Sequence, residues 1–166
     1  MKRLCTIVAF FFLAIIITMA GTLTPLTSSD ANNIKEEMDK LRENVSAQYI
    51  FGNNMMICLI MFVPIIGPLF GTYALYNTGV VIEAESMTRL HVSPIVIFLS
   101  LFFLPFAWLE FIAYSTAAAA SIWLTWRLIQ RKGRHELVRT CIFIAICAVL
   151  LLAGAIVEDI LIAAST

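Results

Sequence analysis

Histidine, charge and clustered metal ligands are what this chain has least of. Only His91 and His135 occur in 166 residues, they fall in different parts of the chain, and neither has neighbours at ligand spacing, so metal-assisted chemistry lacks its usual donor set. The four cysteines, Cys5, Cys58, Cys141 and Cys147, each sit inside an apolar block with no C-x-x-C neighbour. Thiols so placed act as small packing groups and specify no redox compartment. There is no glycine-rich phosphate loop, no serine-nucleophile motif and no H-E-x-x-H. An intrinsic enzyme is therefore not expected, and no cofactor or metal is implied. Charged residues make up 13% of the chain against 61% hydrophobic, and the formal net charge is zero. That balance cannot clothe a water-soluble domain, and it offers no net field for nucleic acid.

What is present is grease broken by short polar islands: Lys2–Arg3, Asp30–Glu43, Glu83–His91 and Arg127–Arg139. With about 20 apolar residues needed per spanning helix, the pattern predicts a single all-α membrane domain over 1–166, a polytopic bundle of about five transmembrane helices with one amphipathic helix on the outer side. The expected spans are 4–21, 55–76, 92–106, 107–126 and 137–157. Basic residues before the first run also fit a secretory signal, but the run is long for a signal core and no A-x-A site follows Ala20–Gly21, so a retained helix is expected.

Residues 29–50 are the one stretch that reads like soluble protein. Ile34, Met38, Leu41, Val45 and Tyr49 recur at spacings of three and four, and Ser28, Ser29 or Asp30 is the expected cap. Asn44-Val45-Ser46 matches a glycosylation sequon. Pro64, Gly67, Pro68 and Gly71 predict an interrupted second span, with Gly67 and Gly71 either allowing close helix approach or accommodating the prolines. Ala117–Ala120 suits tight packing, and Trp108, Trp123 and Trp126 suit interfacial anchoring.

Arg127, Arg131, Lys132 and Arg134, with Arg139, form the strongest basic cluster; the positive-inside rule assigns it, like Lys2 and Arg3, to the cytoplasm. Three crossings between Met55 and Trp126 reconcile the two ends, giving a cytoplasmic amino terminus and an extracytoplasmic carboxyl terminus near Glu158 in the cell membrane. Glu110 is the ionisable residue at depth. Either it caps the helix begun at Pro105, where the dipole favours an anion, or it is buried and bonded to Asn54, Asn77 or His91.

Phe51-Gly52-Asn53-Asn54, Gly67 with Pro64, Asn77-Thr78-Gly79, Leu104-Pro105 with Glu110 five positions on, and Ile156-Val157-Glu158, in that order and spacing, resemble the stage II sporulation protein M family in its archaeal-like form. The resemblance covers about Tyr49 to Ile162. It implies a polytopic fold of about five helices. The family's Pro-His-Gly-x-x-Glu motif is kept here at Pro105 and Glu110, with Phe106 and Ala107 in place of His-Gly, which removes the one histidine that could support chemistry. Sporulating members are membrane subunits of a cell-wall-remodelling machine, and from this only a partner-dependent scaffold carries over. The expected partners are the lipid bilayer and other integral membrane subunits, in a homo- or hetero-oligomer. The runner-up expectation is a solute or ion transport component with a polar site at Asn54, Asn77 and Glu110.

Overall fold

The computed structural model describes residues 2–42, 46–131 and 133–165, and among them every regular element is helical. Seven α-helices follow one another: α1 Lys2–Thr22, α2 Ser28–Arg42, α3 Ala47–Met61, α4 Ile66–Glu85, α5 Pro94–Ser100, α6 Pro105–Ile129 and α7 Gly133–Ser165. Two of them, α1 and α7, are long and apolar enough to cross a membrane, and a third crossing is added if the bent pair Ile66–Leu90 and Pro94–Phe103 counts as one.

The segment expected as one amphipathic helix over 29–50 is two elements. Thr27, rather than a residue of 28–30, caps α2: the Asp30 amide donates to Thr27 Oγ1 at 3.2 Å, and the Thr27 hydroxyl donates to the Asp30 carboxylate at 2.7 Å. Ser46 then starts α3 by accepting from the Tyr49 amide at 3.3 Å, so Tyr49 belongs to the next helix. Asn44 and Val45 of the sequon lie outside the described residues, as does Lys132.

The expected span 55–76 is a hairpin. Pro64 lacks an amide hydrogen and cannot continue α3, and the chain turns through Phe62–Ile65 before α4 begins. Helix α6 satisfies the freed backbone groups: the Ser121 hydroxyl donates to the Val63 carbonyl at 2.7 Å, and the Ile65 amide donates to Thr125 Oγ1 at 3.1 Å. Ile65 itself has φ of 69°, a left-handed backbone that a β-branched residue adopts only under strain.

Helix α4 passes through a π-turn, Ser86–Leu90, which ends at His91 with φ of 48°. The chain reverses by 111° into α5, and the Ser86 hydroxyl holds the bend by donating to the Val92 carbonyl at 2.6 Å. The stretches expected as separate spans, 92–106 and 107–126, are occupied by α5, a 3-10 turn at Leu101–Phe103 and, after the extended Leu104 whose conformation the following proline dictates, α6. The last helix runs beyond 137–157 at both ends.

Helix α6 is the axis of the bundle. Every residue from Ala113 to Ser121 is buried, because this stretch is alanine, serine and threonine apart from Tyr114, and such small residues let neighbours approach from all sides. Helix α7 packs antiparallel to it, with Gly154 against Leu109 and Phe106 and Cys147 against Ala113. Helix α3 lies parallel to it, and α1 antiparallel, with Phe11 stacked on Trp108 and Arg3 beside Trp123.

Candidate functional site

Three helices bring polar groups together inside the bundle. The Asn54 side-chain amide of α3 donates to Glu110 Oε1 of α6 at 2.5 Å. Glu110 is the sixth residue of α6, past the first turn, so its carboxylate meets a neighbouring helix and does not cap its own. One turn on, Tyr114 is buried beside the same carboxylate, and Glu158 of α7 approaches closely enough for the two acids to interact electrostatically. Next along the same faces, Cys58 and Cys147 are fully buried, and Cys147 donates to the Ala113 carbonyl at 3.4 Å. The cluster thus joins α3, α6 and α7 with polar contacts, where lipid would supply none.

Asn77 and His91 are not part of it. Asn77 donates to the Tyr73 carbonyl one turn back in its own helix at 3.0 Å, and His91 is exposed at the end of the π-turn. Of the expected polar group Asn54, Asn77 and Glu110, the structure joins Asn54 to Glu110 and leaves Asn77 bonded within its own helix. Among the described residues no group of three or more His, Cys, Asp or Glu side chains is placed to hold a metal ion.

Gly79 has a different task. A Cβ there would lie 2.0 Å from the Thr18 carbonyl oxygen and 2.8 Å from the Gly21 Cα, and a Cβ on Gly21 would lie 2.1 Å from the Tyr76 carbonyl oxygen. Helices α1 and α4, running parallel, are in backbone contact at that crossing. Thr18 and Thr22, both fully buried, serve the seam by folding their hydroxyls onto carbonyls of their own helix, at 3.0 and 2.9 Å. Of the glycine pair in α4, Gly67 receives the Met61 carbonyl and Gly71 the Met61 side chain, so both serve the hairpin turn.

Pro105 is the first residue of α6 and is flanked by an aromatic cluster of Phe11, Phe98, Phe102, Trp108 and Phe111. Trp108 belongs to this cluster and donates its indole N–H to the Phe102 carbonyl at 2.9 Å, bridging the break in the course.

The arginines gather where α6 gives way to α7. Arg3 Nη1 and Nη2 donate to Glu136 at 2.6 and 2.7 Å, and Arg139 stands 3.9 Å from the same carboxylate. Glu136 is 3% exposed, a geometry that ties the first helix to the last. Sequence reasoning placed Arg3 and Glu136 on one side of the membrane but did not pair them. It also missed Thr18 and Gly21, whose signal is the small-residue spacing Ala14, Thr18, Thr22 on α1.

Compared with known families, residues 5–160 match the family described as Stage II sporulation protein M. No curated protein and no solved structure matches the chain.

Proposed function

The chain belongs to the stage II sporulation protein M family, and from that premise we propose that it is a non-catalytic integral membrane scaffold, an accessory subunit that works through helix packing with partner chains. It crosses the bilayer five times in this reading, by α1, α3, α4, the course α5–α6, and α7. The amino terminus and the arginine-rich turn face the cytoplasm, and α2 and Glu158 lie on the outer side. At 15 residues α3 is about 22 Å long, short of the ~30 Å hydrocarbon core, and it reaches across only with the turn that follows.

The observation that carries this reading is α6, buried on every side from Ala113 to Ser121. Packed side chains occupy the axis a translocation path would need. The carboxylate at depth is engaged with Asn54, and large apolar side chains such as Leu69, Tyr73 and Phe103 point outward. A second reading, ion or solute transport, draws on the approach of Glu158 to Glu110.

Extraction from native membranes in mild detergent, followed by identification of co-purifying chains, separates the two. A stoichiometric complex with other membrane proteins is the expected result. A monodisperse lone species that conducts or binds a solute would overturn it.

A further inference from the structure

We propose that the cavity at the arginine-rich rim, between the start of α1 and the end of α6, is a binding site for the phosphate of an anionic phospholipid headgroup. Arg3, Trp123, Trp126, Arg127 and Gln130 line it. The inference does not depend on the scaffold reading; it needs only that the chain sits in a bilayer.

Charge supplies the first argument. Around this turn the described residues set Arg3, Arg127, Arg131, Arg134 and Arg139 against Glu136. The Glu136 carboxylate is engaged by Arg3 at 2.6 Å and approached by Arg139 at 3.9 Å. Arg127, half-buried in the cavity wall, donates to the neutral Gln130 side chain at 3.3 Å, and the Glu136 carboxylate, already held by Arg3, reaches it only through longer-range electrostatics. The rim therefore carries cationic excess, and Arg127 holds it beside a cavity.

Donor geometry is the second. A guanidinium has five N–H donors; two of those on Arg3 go to Glu136, which leaves others for a second anion. The Arg3 guanidinium lies 4.7 Å over the Trp123 ring, so cation–π stacking orients it before any ligand arrives. Two arginines in one wall suit the bidentate, charge-assisted contacts that phosphate oxygens accept.

The third argument selects a lipid over free phosphate. Trp126 is 61% exposed at the cavity mouth, and Ile122 and Ile129 are exposed on the same end of α6. An amphipathic indole at the headgroup level, with apolar side chains beside it, is a surface for glycerol and acyl chain, for which inorganic phosphate has no use.

The test uses the full chain, delipidated in detergent and offered equimolar phosphatidylglycerol and phosphatidylcholine, with retained lipid read by native mass spectrometry. Phosphatidylglycerol should be retained preferentially. Arg127→Gln should lower its retention about tenfold, the weight of one charge-assisted contact, while Arg134→Gln, outside the cavity, changes it by less than about twofold. Equal losses in both variants would mean diffuse attraction to a basic surface and overturn the site. So would phosphatidylcholine held as tightly, or displacement of phosphatidylglycerol by millimolar inorganic phosphate, which would assign the cavity to a free anion. If Arg127→Gln does not yield monodisperse protein, Trp126→Ala reads the same cavity: loss of phosphatidylglycerol supports the proposal, and unchanged retention overturns it.

Discussion

Asn54 and Glu110 form a pair in which the donor is the more costly member to lose. Glutamine at position 110 keeps a carbonyl to accept from Asn54, whereas leucine at 54 strands a carboxylate between helices. Glu110→Gln should therefore shift stability by no more than about 0.5 kcal/mol, and Asn54→Leu should cost about 1–2 kcal/mol, as read by thermal unfolding in detergent. The reverse order would mean that charge on Glu110, not its hydrogen bond, holds the helices. A second residue offers a gain. Ile65 is largely exposed and held at φ of 69°, so Ile65→Gly should relieve strain and stabilise by about 1 kcal/mol. A loss of stability on that change would show that the Ile65 side chain contributes more than its backbone strain costs.

Helices meet here through what their small residues permit. At the α1–α4 crossing a single methyl on Gly79 would meet the Thr18 carbonyl at 2.0 Å, and backbone cannot yield as a side chain can. Gly79→Ala should destabilise by about 2 kcal/mol or more. Gly52 is the internal control: it lies within α3 and a Cβ there meets nothing within 4 Å, so Gly52→Ala should stabilise by about 0.5–1 kcal/mol through helix propensity. Equal effects at the two glycines would contradict the close seam. This contrast also marks what the sequence can and cannot disclose. The motif Asn77-Thr78-Gly79 and the pair Phe51-Gly52 look alike as strings, and only the identity of the helix opposite separates a required glycine from a tolerated one.

In the molecule as a whole, the apolar blocks, the interruption at Pro64 and the break before Pro105 were all legible from composition and proline chemistry. The way the pieces join was not. A proline reports that a helix stops; whether the chain then reverses, as after Phe62, or continues on a bent course, as through Leu104, depends on which distant hydroxyls satisfy the freed amides and carbonyls. Ser121 and Thr125 do so for the hairpin, about sixty residues away in sequence. Asn54 stood in the sequence as one of three possible partners for Glu110, beside the alternative that Glu110 caps its own helix, and spacing alone could select neither the buried role nor Asn54 over Asn77. The same long-range logic governs the rim. Breaking the Arg3–Glu136 pair by Glu136→Ala should cost about 1–2 kcal/mol, between the exposed and the buried case because Arg3 is a third exposed. Arg3→Glu combined with Glu136→Arg should recover part of that loss; no recovery would argue that Glu136 serves chiefly the arginines of its own helix.

The parallel crossing of α1 and α4 has a consequence for how the protein is made. Gly21 leaves the ribosome long before Gly79, so the first helix enters the bilayer without the groove it will occupy. Until the chain has been extended through α2 and the α3 hairpin, the face carrying Ala14, Thr18 and Gly21 has only lipid or insertion machinery to lie against. The α1–α4 seam can therefore close only once Gly79 has been made.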